Sequence, residues 1–394
     1  MHFIPVYITL NMIYGIIPPY LPLLLRGQNY SPAMVGIFLA VAEGAGILGP
    51  FLFGRFTDRQ GKYKKYIIIA YCLSALAALP IAFLVHPIVS AALTVLLIAG
   101  YRSANPLIEA VTTISLGNLG DYGKIRVSGS IAYCCYVLFL QWVPVLRPDT
   151  PLNISVWCSI SIVLAISTVI FLPSKYTVRN PQPAASAVSA APIDSVSSLN
   201  STGKKSIWTP VFILGLTSIA LSRLAMAPVY SFFSLFLVEY MRWDAVGLMW
   251  ALAGMAEIPF VYFSRRLIRR FGAMPILAFS SAMVALRLIL YAALPFKAVI
   301  VAAQLLHSFC FGLFHPAAVA FISDSVPSEK RSFGMTLYVS FGTGLPMFIG
   351  NFIGGFIADK FGYRPLYGFF SVFAILGAAV YIVYTIYISK NKES

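Results

Sequence analysis

The chain has 394 residues, of which 59% are hydrophobic and 10% charged, with a formal net charge of +15 and a mean hydropathy of +0.83. Soluble domains carry roughly 25% charged residues, so this composition excludes a soluble domain of ordinary type. The basic residues fall in short gaps between apolar runs rather than in one polar patch, which excludes a nucleic-acid-binding face.

In chain order, the apolar runs are long enough to cross a hydrocarbon core, which takes about 20 residues of helix. Runs of this length satisfy their backbone in lipid as helices. We therefore predict an all-α membrane protein with twelve transmembrane helices in two six-helix halves. The predicted spans are 3–25, 34–54, 66–87, 90–115, 126–146, 153–173, 208–238, 245–263, 273–293, 297–323, 333–357 and 365–388.

A polar segment separates the sixth and seventh runs. Residues 174–207 are rich in Ala, Ser and Pro and show no apolar period, which is typical of a flexible linker. We predict an amino-terminal half over 1–173, a cytoplasmic linker over 174–207 and a carboxy-terminal half over 208–394. Two such halves with a solute site at the midplane between them are common among secondary transporters.

The gaps between runs predict the orientation. Alternate gaps, the linker and the carboxy-terminal tail hold 19 Lys and Arg residues, against six in the other gaps. Basic residues concentrate on the cytoplasmic side of multi-pass proteins. We therefore expect a multi-pass protein of the cell (inner) membrane with both termini cytoplasmic.

A few ionisable residues fall inside the predicted spans, where they cost free energy and so mark candidate functional sites. Arg102 and Glu109 are two turns apart and share a helix face, whereas His307 and His315 differ by roughly 80° around theirs. Two interpretations are open: ion pairs that lock helices together, or groups that bind solute and exchange protons. The residues are Glu43, Arg102, Glu109, Arg223, Glu257, Arg287, His307 and His315.

A second candidate functional feature is the loop motif from Gly54 to Lys64, between the second and third spans. A weaker version of the motif occurs over 264–272. Its glycines are expected to flank a tight turn, with an acid placed to meet a helix N-terminus or an Arg. We predict a conformational latch formed by Gly54, Asp58, Arg59 and Gly61. The chain shows no phosphate-binding GK[ST] loop, GxSxG or HExxH motif, so we expect no enzyme, cofactor or metal.

This loop pattern, in a twelve-span chain with a central linker, resembles the major facilitator superfamily. Within it, the sequence looks like the branch that contains lactose permease and the bacterial 3-phenylpropionate transporter. The segment from Asp121 to Ser130 is similar to the second, and Pro106 to Glu109 followed by Gly123-x-x-Arg126-x-x-Gly129 is similar to both.

The resemblance implies candidate site residues. In the amino-terminal half, Glu109, Arg126 and Tyr133 match solute-binding positions, and Arg102 is added as a further candidate. In the carboxy-terminal half, Glu257, Arg287 and His307 match the proton-coupling cluster. The chain departs from lactose permease at Cys310 and Gln304, which replace a carboxylate and a lysine, so the lactose mechanism does not transfer whole.

We predict a secondary active transporter that moves a small organic solute by proton-coupled symport and alternating access. The solute is either a saccharide or an aromatic or other organic acid, and the excess of embedded arginines favours an anionic or mixed polar one. The expected partners are the solute, the proton and the bilayer, with a monomeric protein and no nucleic acid. The alternatives are a proton-driven exporter of amphipathic compounds and a non-transporting sensor of the same fold.

Overall fold

A computed structural model describes residues 2–116, 119–142, 150–173 and 206–393, and every regular element in them is helical. We number the long helices α1 to α12. They are Phe3–Gly27, Pro32–Gln60, Tyr63–Ala78, Pro87–Leu116, Leu119–Trp142, Pro151–Ile170, Pro210–Leu235, Val246–Phe271, Ala273–Ala293, Lys297–Ser325, Phe333–Phe361 and Tyr363–Glu393.

The prediction of a helical membrane protein is confirmed. Within the described residues, 11 helices are long and apolar enough to span a membrane, and α5 is a further long helix. Helix α6 ends at Ile170 and α7 begins at Pro210, on either side of the predicted linker. Most of that linker, 174–205, lies outside the described residues.

Local sequence explains where several helices begin and end. The Ser31 side chain accepts a hydrogen bond from the Met34 amide at the start of α2, and Thr209 does the same for Phe212 in α7. In each case proline follows the capping residue, a position where its missing N–H costs nothing. Gly61 directly follows α2 and Gly272 directly follows α8, and both have positive φ (65° and 87°), which favours glycine.

The predicted latch differs from expectation in one respect. Gly61 ends α2 as predicted, but Gly54 lies inside that helix rather than beside a turn. A Cβ at Gly54 would meet no atom within 4 Å, so no close approach requires a glycine there. Arg59 is exposed in the last turn, and the Asp58 side chain lies outside the described part of the chain.

Three helices of the carboxy-terminal half contain π-helical segments. Phe236–Tyr240 continues α7, Ser308–Leu313 interrupts α10 and Tyr338–Gly344 interrupts α11. The described helices of the amino-terminal half contain no such segment. Single π turns are frequent at functional sites, because they change the direction of the side chains that follow.

The two halves pack against each other through α2 with α11 and α5 with α8. We call the end of the bundle that holds the amino terminus and the end of α6 the terminal end, and the opposite end the far end. Near the far end, a Cβ on Gly36 would lie 2.6 Å from the Asn351 carbonyl oxygen and 2.7 Å from the Gly355 Cα. A Cβ on Gly247 would lie 2.2 Å from the Val137 carbonyl oxygen, so backbones are in direct contact there.

An ion pair also joins the halves at the far end. Arg26 Nε, at the end of α1, lies 2.6 Å from Glu239 Oε1, beyond α7. The Tyr363 hydroxyl donates to Glu239 Oε2 at 2.5 Å. In contrast, the side chains of Glu109 and Arg126, two turns from the terminal end, are 41% and 58% exposed. The two halves are therefore in direct contact at the far end, whereas Glu109 and Arg126 near the terminal end are accessible.

Candidate solute and proton site

The structure brings the candidate residues together in three groups. The first is an ion pair between α2 and α4. Both terminal nitrogens of Arg102 donate to Glu43, at 2.6 and 2.7 Å, and the Glu43 side chain is 11% exposed. In this bidentate geometry the Glu43 carboxylate occupies both terminal nitrogens of Arg102. The sequence placed Arg102 on a face with Glu109, but its partner in the structure is Glu43.

The second group joins α4 and α5. Arg126 Nη1 lies 3.9 Å from Glu109 Oε1, a distance at which charges attract but no hydrogen bond forms. Both side chains are partly exposed. Tyr133 lies two turns further along α5, where its ring would be 3.0 Å from a Cβ on Gly254 of α8.

The third group lies near the middle of α8, α9 and α10. Arg287 is 1% exposed and donates to the Tyr291 hydroxyl at 2.9 Å and to Gln304 Oε1. Its Nη1 lies 3.0 Å from His307 Nδ1. On the other side of the imidazole, His307 Nε2 lies 3.8 Å from Glu257 Oε2. Glu257, Arg287 and His307, which the sequence predicted as one cluster, are thus in contact across three helices, with the histidine between the acid and the arginine.

The hydrogen-bond chemistry defines the state of His307. A guanidinium only donates, so Nδ1 must accept from Arg287. The neutral imidazole then carries its proton on Nε2, directed toward the Glu257 carboxylate. Gln304, which replaces the lysine expected from the resemblance, accepts from Arg287 and donates to the Met249 carbonyl oxygen at 3.0 Å. Gln304 therefore positions Arg287, a role that the sequence did not predict.

An aromatic stack continues from His307 along α10. The rings of His307 and Phe311 are 5.8 Å apart and parallel within 5°, and those of Phe311 and His315 are 5.8 Å apart and parallel within 6°. His315 Nδ1 lies 2.9 Å from the Tyr338 hydroxyl of α11. The stack spans the π segment Ser308–Leu313. A π-helix turns through a smaller angle per residue than an α-helix, so it aligns side chains four residues apart that a regular helix would offset.

Arg223 of α7 was noted in the sequence as an embedded charge, but we predicted no role for it. Its guanidinium carbon lies 5.1 Å from the Phe311 ring centre and 4.8 Å from that of Phe314. The charges of Arg126 and Arg223 both act on Glu257, although the arginines belong to different halves. Tyr133 also lies against Gly254, one turn before Glu257, so the second and third groups face one interior region between the halves.

Comparison with known proteins is consistent with this architecture. A family model described as "MFS_1 like family" matches residues 5–369. The chain belongs to the MFS_1 like family. This result confirms membership of the major facilitator superfamily, whereas the resemblance to the lactose permease branch stays a prediction. The chain is accordingly a multi-pass membrane protein of the transporter type.

Two curated relatives are transporters. The chain is 24% identical to a maltose permease of Geobacillus stearothermophilus over 380 residues, which cover 96% of this chain and 92% of the relative. It is 28% identical over 165 residues to the uncharacterized transporter YwbF of Bacillus subtilis, spanning 42% of this chain and 41% of that protein.

Solved structures share the fold. The nucleoside transporter NupG superposes with a TM-score of 0.78 at 14% identity, over 97% of this chain and 98% of that one. A POT family transporter in complex with 5-aminolevulinic acid gives a TM-score of 0.74 at 10% identity, over 98% and 96% of the two chains.

Proposed function

We propose that this protein is a proton-coupled symporter that moves a small organic solute across the cell membrane by alternating access. The observation that supports it most is the Glu257–His307–Arg287 cluster beside a region that both halves line. A carboxylate in contact with an imidazole inside a membrane protein is a common proton-exchange pair.

In this proposal Glu257 Oε2 accepts the proton. Arg287 holds His307 with Nε2–H toward Glu257, which stabilises the ionised carboxylate. Protonation removes that charge and weakens the contact between α8 and α10. Because Arg287 occupies Nδ1, His307 gains a second proton only after that hydrogen bond breaks. Proton uptake is therefore coupled to the packing of three helices, as symport requires.

We assign Glu109, Arg126 and Tyr133 to solute binding and Glu257, Arg287 and His307 to proton coupling. Arg102 is included as a candidate through its place on α4, although Glu43 occupies its fork. The maltose permease relative supports a polar organic solute, and the partly exposed Glu109–Arg126 pair offers both a donor and an acceptor to one.

The direct test is transport by purified protein in proteoliposomes loaded with a pH-sensitive dye. We expect radiolabelled maltose or a monocarboxylate to accumulate when the lumen is alkaline, and its addition to drive protons inward. Protonophore should abolish accumulation. Facilitated uptake that ignores the pH gradient would refute proton coupling, and the absence of solute movement in either direction would favour the sensor alternative. Accumulation driven only by an opposed proton gradient would favour the exporter.

A further inference from the structure

Arg223 has an unusual environment for a buried guanidinium. The residue is 4% exposed and lies near the middle of α7. Within the described part of the chain no carboxylate oxygen lies within 4 Å of it, and its Nε forms no hydrogen bond. A buried Arg normally pairs with a carboxylate or bonds to several acceptors, because an uncompensated buried charge is strongly destabilising.

The surroundings of Arg223 compensate its charge only in part. Phe311 and Phe314 present their rings to the guanidinium, a cation–π contact that is weaker than a buried ion pair. The hydroxyls of Tyr230 and Tyr338 lie nearby. However, the Tyr338 hydroxyl is bonded to His315, and the Tyr230 hydroxyl is buried with no hydrogen-bond partner. Arg223 Nε and the Tyr230 hydroxyl, two turns apart on α7, therefore lack a well-formed hydrogen bond, although the Tyr230 and Tyr338 oxygens lie close enough to Arg223 to share its charge.

The formal charges around this region also do not balance. Arg102 is neutralised by Glu43, and Arg126 faces Glu109. Of the described groups that are left, Arg223 and Arg287 oppose Glu257 alone, while His307 is neutral because it accepts from Arg287. The region thus carries one positive charge in excess, which repels cations and attracts a single anionic group.

We propose that Arg223 and Tyr230 form a carboxylate-binding subsite, and that the transported solute is therefore a monocarboxylate rather than a neutral sugar. This inference rests on the proposed function and specifies its substrate class. The planar guanidinium matches a carboxylate geometrically, and Tyr230 supplies a further donor. The excess of one positive charge fits a monoanion.

The test is ligand-dependent thermal stability of the purified protein, at constant ionic strength with chloride as the balancing anion. The probes are sodium acetate, lactate, benzoate and 3-phenylpropionate, each compared with its uncharged amide, and maltose. We expect at least one carboxylate to raise the unfolding temperature of the wild type while its amide does not. If no carboxylate differs from its amide, the subsite is refuted. Stabilisation by maltose alone would refute it too, while leaving the transport function intact.

Variants assign the effect to this arginine. In Arg223→Gln the stabilising carboxylate should bind at least tenfold more weakly, and Arg223→Lys should show an intermediate loss because the charge is kept without the fork. Arg265→Gln, at an exposed arginine of α8, is the matched control and should bind as the wild type does. If the single variants Arg223→Lys and Tyr230→Phe both bind the carboxylate as tightly as the wild type does, the assignment is refuted. If Arg223→Gln does not fold, the wild-type comparison and these two variants still decide the question.

Binding and transport separate the two proposals. If carboxylates bind through Arg223 but never move across proteoliposomes, the subsite stands and the transport proposal fails. If maltose is accumulated with protons and carboxylates neither bind nor compete, transport stands and the subsite fails.

Discussion

The embedded arginines have different partners in the two halves of the protein. In the amino-terminal half each embedded arginine faces a glutamate, as Arg102 does Glu43 and Arg126 does Glu109. In the carboxy-terminal half Arg287 is held by neutral acceptors and Arg223 by aromatic rings. The hydrogen-bonded Arg102–Glu43 pair stabilises one arrangement of helices, whereas the Arg126–Glu109 pair is too long for a hydrogen bond. The carboxy-terminal half therefore holds the buried arginines that have no carboxylate partner, together with Glu257, which can accept a proton.

The largest effect is expected for Glu257→Gln, which removes the acid of the Glu257–His307–Arg287 cluster. We expect uphill accumulation to be abolished while exchange of solute between the two sides continues, because the amide cannot take up a proton. Proteoliposome uptake with and without a pH gradient measures both. Glu329→Gln, at an exposed position, is the matched control. Normal accumulation in Glu257→Gln would remove this residue from coupling.

The paired half is tested by Arg102→Gln. Removing one partner leaves Glu43 buried without its counterion, which costs about 3–5 kcal/mol. We expect a strongly lowered unfolding temperature, and recovery of most of the loss in Glu43→Gln/Arg102→Gln. If the single variant is as stable as the wild type but loses solute affinity, Arg102 binds solute, as the sequence predicted, and the contrast between the halves is wrong.

Arg126→Lys tests the exposed pair. The contribution of such a pair to stability is about 0–1 kcal/mol, so the unfolding temperature should change little. Solute affinity should fall roughly tenfold or more, since a charged hydrogen bond to the fork is worth about 1.5–3 kcal/mol. Arg265→Lys serves as control for the substitution. Wild-type affinity in Arg126→Lys, measured by equilibrium binding, would contradict a solute-binding role.

The two histidines of the stack should differ. In His307→Gln the contact between Glu257 and the Nε2–H is lost, so we expect the pH dependence of accumulation to shift. In His315→Gln the profile should stay close to that of the wild type, because His315 bonds to Tyr338 rather than to a carboxylate. Uptake rates across a pH series provide the comparison. Identical profiles in all three proteins would leave Glu257 as the sole proton carrier.

The smallest effect is expected at the far end, where α2 and α11 join the two halves. A methyl group at Gly36 would collide with the backbone of α11, so Gly36→Ala should favour opening of the far end. We expect a few-fold faster maleimide labelling of a cysteine placed at Val137, which is buried there. At Gly44 a Cβ meets only Phe348, at 4.0 Å, so Gly44→Ala is the control. Equal labelling in the two variants would show that the contact between α2 and α11 does not limit opening of the far end.

Much of the fold could be predicted from hydropathy, because lipid imposes helix on every apolar run of sufficient length. The grouping of Glu257, Arg287 and His307 came from family resemblance, and the structure places these residues in contact. Sequence spacing failed where partners come from another helix. The pairing of Arg102 with Glu43 depends on how α2 packs on α4, and the isolation of Arg223 is visible only once its neighbours are known. The stacking of His307 and His315 on the intervening Phe311 depends on a π segment that no local sequence pattern predicts.

The distribution of π segments has a mechanical consequence. A π turn contains one residue more than the α turn it replaces, so it can move along a helix one residue at a time while the rest of the hydrogen-bond ladder stays intact. Each such step rotates the side chains it passes by about 100°. Helices α7, α10 and α11 therefore have a built-in way to turn Tyr240, His315 or Tyr338 without melting. The amino-terminal half, whose described helices lack this device, is suited to move as a rigid body against a partner that adjusts its own helices.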